Sequence, residues 1–256
     1  MNGLWQAGYA IVASRDRDAR EPWSLVEELV GTRPTMVERQ PIRPMTNGRS
    51  FASTTVFTPF HTDSQDYRAA PPRLQVMICK HAAATGGETR LLDGAALLGR
   101  LQRENPRLYD QLLSVPRLHR FYFGDVTRPT VVVHADHIMW THSPLPPTDA
   151  IGEALAVELE RERVITLTVK PGEALLVDNH RMLHGREAFD DPQRDFMRLL
   201  AWLPGNAKRE RLDIVLELLT GVPPAKLAAR EGISEQELYA WRSRALSAAA
   251  GTLEDG

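Results

Sequence analysis

Short runs of β-branched and other apolar residues, each closed by glycine, proline or a charged turn, recur from Thr54 to Leu203. This is the feature that most restricts the fold. Strand signals that repeat without one helix between each pair do not build a doubly wound parallel sheet. Thr54 to Phe60 reads as a strand leading into His61. Leu74 to Cys79, Thr89 to Leu92 (after the Gly86-Gly87 turn), Phe121 to Phe123, Thr130 to His134, Ile138 to Thr141, Val164 to Val169, Ala174 to Val177 and Met197 to Leu203 continue the series. Helical spacing appears at Glu21 to Val30, with Trp23, Val26, Leu29 and Val30 on one side and Gly31 ending it, and again across Asp93 to Leu113 and Asp149 to Glu160. The pattern predicts a mainly β fold with inserted helices, a β-sandwich or jelly-roll barrel.

After Pro204-Gly205 the strand signals stop. The chain is expected to divide into a β domain over residues 1–206 and a helical module over residues 207–256. Three helices are expected in the module, at Arg209 to Leu219, Ala225 to Glu231 and Glu235 to Leu246, with a frayed tail after Ala248. Leu227 to Trp241 resembles the helix-turn-helix of transposase-type DNA-binding modules. Ser234 and Glu237 form a capping box there, and Leu227, Ile233, Leu238 and Trp241 supply a small core. The charge does not suit DNA. Seven basic residues (208, 209, 211, 226, 230, 242, 244) face six acidic ones (210, 213, 217, 231, 235, 237). Glu235 and Glu237 open the helix that would meet the phosphates. A homodimer contact, a cover for the active site or a dock for a carrier protein suits these helices better.

The stretch most informative about chemistry is Phe60-His61-Thr62-Asp63. On a strand, residues i and i+2 project from the same face, so one imidazole and one carboxylate can reach a common ion. His184 follows a buried strand far along the chain and is a candidate second imidazole, with Gly185 giving the backbone freedom beside it. Two histidines and one carboxylate on one face of an octahedron suit non-haem iron. Arg198 opens the apolar run Leu199 to Leu203, where a guanidinium is costly unless it meets an anion. Its alternative is a structural pair with Asp195 or Glu187. His180 reads as a strand-end residue, and His81, His119, His134, His137 and His142 carry no ligand spacing. The single cysteine, Cys79, excludes an internal disulfide and reads as a core residue. The formal net charge of −2 gives no general pull toward nucleic acid or anionic membrane. No apolar run is long enough to span a bilayer and no secretory signal is visible, so a cytoplasmic location is the default expectation.

Together, Phe60-His-Thr-Asp63, Gly86-Gly-Glu-Thr-Arg-Leu-Leu-Asp93, Asp178-Asn-x3-Leu-His184-Gly-Arg186 and Arg194-x3-Arg198 resemble the taurine dioxygenase (TauD/TfdA) and clavaminate synthase-like superfamily. The likeness runs from about Thr54 to Leu203. It implies a double-stranded β-helix, iron(II) as cofactor, 2-oxoglutarate and dioxygen as co-substrates, and succinate and carbon dioxide as products. Residue by residue, it implies that His61, Asp63 and His184 hold the metal, that Arg198 pairs with the far carboxylate of 2-oxoglutarate, and that Thr89 assists it. Arg194 either flanks that site or is solvated. The His184-to-Arg198 spacing is closer to the clavaminate synthase and amino-acid hydroxylase branch, although that branch commonly has glutamate at the place of Asp63. A carboxylate there argues against halogenation. Asp66 and Arg68, just past the metal motif, and Trp140 are candidate contacts to a small-molecule substrate. The expected activity is hydroxylation of an amino acid or a derivative of one. Desaturation, ring closure, a carrier-tethered substrate and a metabolite-sensing DNA-binding regulator remain as alternatives.

Overall fold

The structure, a computed structural model, describes residues 2–64, 70–122, 124–134, 137–204, 214–215, 218–219, 221–231 and 234–254. The chain forms two compact units, residues 1–204 and 205–256. The strands of the first unit are β1 (Tyr9–Ala13), β2 (Met36–Ile42), β3 (Thr58–His61), β4 (Leu74–His81), β5 (Thr89–Asp93), β6 (Arg117–Phe121), β7 (Gly124–Arg128), β8 (Val131–Val133), β9 (Ile138–Trp140), β10 (Ile165–Leu167), β11 (Glu173–Asp178), β12 (Met182–Arg186) and β13 (Asp195–Trp202). Its helices are α1 (Asn2–Ala7), α2 (Pro22–Val30), α3 (Gly94–Glu104), α4 (Pro106–Ser114) and α5 (Ala150–Glu160).

Two antiparallel sheets carry the site. One has the order β1-β11-β4-β13-β2, the other β10-β5-β12-β3, and two hairpins, β6-β7 and β8-β9, stand apart. Strand periodicity explains the layers. Along β11, Leu175 and Val177 join Cys79, Leu91, Met182 and Phe196 between the sheets. The alternate residues Ala174 and Leu176 turn outward to Leu25, Val26 and Val30 of α2. On the other sheet, Leu92 and Leu183 pack outward against leucines of α3, α4 and α5. Both faces of both sheets are therefore covered, which is why the central strands read as nearly continuous apolar runs. Burying each such leucine contributes about 1.5–3 kcal/mol.

Several local expectations change. The helix expected over residues 93–113 is two, broken at Asn105 because Pro106 has no N–H and disfavours helical backbone before it. Asp93 caps α3 through the Ala95 N–H at 2.9 Å, and Asn105 caps α4 through the Leu108 N–H at 3.3 Å. In α2, Leu25 is buried while Trp23 is 37% exposed, so the apolar face is rotated from the expected one. The edge strand β2 escapes the sequence pattern because most of its side chains face solvent, and its Pro41 is tolerated at an edge.

In the second unit the described helices are α6 (Pro224–Glu231) and α7 (Glu235–Glu254). The expected first helix lies largely outside the described residues, as does Ile233. Leu227 and Leu238 are buried together with Ile214, and Trp241 packs against them. The Ser234–Glu237 box is closed, with the Glu237 N–H on Ser234 Oγ at 3.2 Å and the Ser234 N–H on Glu237 Oε2 at 3.1 Å. α7 runs to Glu254 rather than fraying after Ala248, in keeping with the helix propensity of Ala248, Ala249 and Ala250. No described helix is long and apolar enough to cross a membrane.

Candidate metal centre

Strand pairing does the first part of the assembly. β12 lies antiparallel to β3 with His184 directly opposite His61. Gly185 is needed here for closeness rather than for an unusual backbone angle: a Cβ on it would lie 2.6 Å from the Thr58 carbonyl oxygen. Asp63 sits just past the end of β3, so the ladder does not place it. Asn179 does. Its Oδ1 accepts the Asp63 N–H at 2.7 Å, and its Nδ2 donates to the Asp63 and Pro72 carbonyls at 3.1 and 2.8 Å. The intervening Thr62 N–H bonds the His142 carbonyl at 3.0 Å.

The result is a cluster in which one ligand atom from each of His61, Asp63 and His184 lies within 4.8 Å of the others. His61 Nε2 is 3.6 Å from Asp63 Oδ1, and His184 Nε2 is 3.7 Å from Asp63 Oδ2. His61 Nδ1–H donates to the Pro59 carbonyl at 2.9 Å, which leaves the Nε2 lone pair facing the cluster. Burial alone would push the Asp63 carboxyl up. Arg198, His184 and His61 outweigh it and hold the group well below the ordinary carboxylate range. Burial first, and then the neighbouring His61, pull the His184 imidazole down. An ionised carboxylate beside neutral imidazole is the protonation state that metal binding requires.

Gln75, on β4 of the facing sheet, shows how well a cation fits. Its side-chain amide donates to Asp63 Oδ2 and, at 3.1 Å, to His184 Nε2. That amide thus meets the His184 lone pair that would otherwise face a metal ion, and it holds Asp63 through Oδ2, the oxygen that Arg198 also contacts. The donor set of two imidazoles and one carboxylate suits ferrous iron. The sequence carried a signal for Gln75 that periodicity alone did not single out: it is the lone amide in the apolar run Leu74 to Cys79, at an inward-facing position and 4% exposed.

The two arginines of β13 and its approach differ in their surroundings. Arg198 pairs with neither Asp195 nor Glu187, which meet Lys80 and Arg90 instead. Its Nη1 lies 2.7 Å from Asp63 Oδ2, and its Nη2 donates to Gln40 on β2. Arg194 is 2% exposed, lies over Phe196 and Phe189 at 4.0 and 5.0 Å, and has an Nη1 with no hydrogen-bond partner among the described residues. Burial, reinforced by Arg186, holds its pKa down to about 10. Both arginines border a cavity of about 80 Å³ together with His61, His184, Gln75 and Thr89. Thr58 Oγ1, also on that border, is buried without a described partner.

The candidate substrate contacts fare differently. Trp140 is fully buried in the core between the four-stranded sheet and α3–α5, so it lines neither cavity. An apolar ring on an inward strand position is drawn to that core before it can serve a pocket. Asp66 and Arg68 lie outside the described residues. His180 Nε2–H donates to the Pro71 carbonyl at 2.9 Å, and burial holds the His180 pKa down to about 3.

Comparison with known proteins places these features in a family context. The family model described as taurine catabolism dioxygenase TauD, TfdA family matches residues 27–154 and 149–200. Mitochondrial trimethyllysine dioxygenase of Gallus gallus is 30% identical over 154 residues, which are 50% of this chain and 37% of that protein. Gamma-butyrobetaine dioxygenase of Homo sapiens is 26% identical over 175 residues, 56% of this chain and 43% of that protein. The matched stretch therefore spans less than half the length of these relatives. Among solved structures, an asparagine oxygenase in complex with Fe(II), 3-hydroxyasparagine and succinate superposes with TM-score 0.58 at 14% identity, covering 79% of this chain and 77% of that one. The non-heme iron oxygenase OrfP in complex with Fe and alpha-ketoglutaric acid gives TM-score 0.58 at 15% identity, covering 83% and 80%. These likenesses show the fold, a jelly-roll core.

Proposed function

The chain belongs to the TauD, TfdA dioxygenase family, and on that premise we propose that it is an iron(II)- and 2-oxoglutarate-dependent oxygenase acting on an amino acid or a derivative of one. The convergence of His61, Asp63 and His184 beside a cavity with an open, buried guanidinium carries this reading. Ferrous chemistry at such a triad couples decarboxylation of 2-oxoglutarate by dioxygen to hydroxylation of an unactivated C–H bond, with release of succinate and carbon dioxide.

The residues of the chain have distinct parts in this scheme. His61, Asp63 and His184 hold the metal, and Gln75 and Arg198 orient Asp63 through its Oδ2. The far carboxylate of the oxoacid goes to Arg194, with Thr89 assisting and the Thr58 hydroxyl at hand. The resemblance gives that task to Arg198, but Arg198 is already engaged by Asp63 and Gln40, whereas among the described residues no carboxylate pairs with Arg194. Burial of Arg194 lowers the dielectric around its guanidinium, which strengthens the pairing.

The domain reading follows from the same facts. Residues 1–206 form the oxygenase and residues 207–256 a helix-turn-helix-like module. Its near balance of charge supports a role in dimerisation or in docking a carrier-bound substrate over DNA binding, and the enzyme is expected in the cytoplasm. The test is anaerobic loading with iron(II) and 2-oxoglutarate, then oxygen, with a screen of amino acids and their derivatives for stimulated succinate release. His184→Ala should abolish the release. Purified, reduced protein that binds no ferrous ion would end this reading.

A further inference from the structure

A second and much larger concavity lies on the opposite face of the four-stranded sheet, outside the cavity that holds the metal ligands. It encloses about 760 Å³ between Phe57, Phe60 and Arg90 of the sheet side, Leu118 and Arg120 of β6, and the 144–147 loop with α5. That size is in the range of small-molecule sites. Its mouth is unusually apolar for a surface: Phe57 and Leu118 are each 43% exposed, and nearby Tyr122, set edge-on to Phe51 at 5.6 Å, is 46% exposed. The Arg90 guanidinium lies over Phe60 and Phe57 at 4.8 and 5.0 Å and is paired with Glu187. Arg117 is paired with Asp149. Arg120 borders the cleft with no ion pair among the described residues, so it is the cation left for a ligand.

The cleft also adjoins the metal centre. Phe51 borders both concavities. His142, on the cleft side, is bonded through its backbone to Thr62, the residue between two of the proposed ligands. We propose that this cleft binds the acceptor substrate, an organic acid with a bulky apolar body such as an N-acylated amino acid, with its carboxylate at Arg120 and its apolar part directed past Phe51 toward the metal. This rests on the oxygenase reading above and narrows its substrate class. A polar, unmodified amino acid would leave the aromatic walls wet, whereas an acylated one buries them.

The experiment uses the full chain and anilinonaphthalene sulfonate, a fluorescent apolar anion, as the probe. Ala156→Trp fills the cleft from α5, and Arg120→Glu reverses the free charge at an exposed position. Each should weaken dye binding about tenfold or more, the loss expected for a blocked apolar site or a lost charged contact, while cobalt(II) uptake at the metal centre stays unchanged. N-acylated amino acids should displace the dye and stimulate succinate release, and free amino acids should do neither. Dye binding unaltered in both variants would overturn the proposal, as would equal displacement by the uncharged amide analogues. So would acyl amino acids that bind without changing succinate release. Failure of the unaltered chain to take up cobalt(II), with dye displacement by acylated amino acids intact, would instead sink the oxygenase reading and leave the cleft's ligand class standing.

Discussion

Replacing Arg194 with methionine should stabilise the unloaded protein and at the same time remove its response to 2-oxoglutarate. The sign of the first effect follows from burial. The guanidinium stays charged in both the folded and the unfolded chain below about pH 10, so at pH 7 the whole cost of its desolvation is present. A pKa held down to about 10 corresponds to a cost on the order of 3 kcal/mol. Methionine removes that cost but also the stacking on Phe196 and Phe189, worth about 1–2 kcal/mol. The net gain of roughly 1–2 kcal/mol should raise Tm by about 2–8 °C for a unit of this size. The oxoacid effect has the opposite sign. Losing a two-pronged guanidinium–carboxylate contact of about 3 kcal/mol weakens binding roughly 100-fold. Oxoacid at 100 times its Kd adds about 2.7 kcal/mol to the native protein, and the same concentration should then add only about 0.4 kcal/mol to the variant. Anaerobic thermal unfolding with manganese(II), with and without 2-oxoglutarate, reads both effects. A variant that keeps the full oxoacid-dependent shift would refute the reasoning and return the clamp to Arg198.

Three further outcomes follow from the same geometry. Gln75→Leu removes a hydrogen bond to Asp63 Oδ2 and should lower cobalt(II) affinity about 10- to 100-fold in a spectroscopic titration, with the fold intact by circular dichroism. Asn179→Ala strips partners from the Asp63 N–H and from the Asp63 and Pro72 carbonyls; it should cost roughly 2–4 kcal/mol in urea unfolding and weaken metal binding as Asp63 loses its anchor. Asp178 is pushed up to about 6, chiefly by burial, so its ionised form is disfavoured in the fold and stability is lost as pH rises from about 4 through 6. Asp178→Asn keeps an oxygen for the His180 N–H and should therefore be more stable than the parent by about 1–3 kcal/mol at pH 8, with the difference closing by about pH 4 in parallel denaturant titrations. An equal difference at both pH values would show that charge burial is not its origin.

Residue type and spacing offered His61, Asp63 and His184 as candidates, and the resemblance of the linked motifs to a known family singled them out; the central strands were legible because burial on both faces leaves nearly unbroken apolar runs. The Ser234–Glu237 capping box was equally local. What the linear pattern did not contain was which residue of one sheet faces which residue of the other. Gln75 on β4 and Arg198 on β13 reach Asp63 only because the two sheets stack, and Asn179 fixes Asp63 from 116 residues away. Packing of α3–α5 on the outer face of the four-stranded sheet takes Trp140 into the core, and the stacking of the sheets leaves Arg194 without a carboxylate among the described residues. Periodicity tells a side chain which face of its own strand it occupies. Its partner across the interior is set by sheet order and register, which depend on contacts distant in sequence.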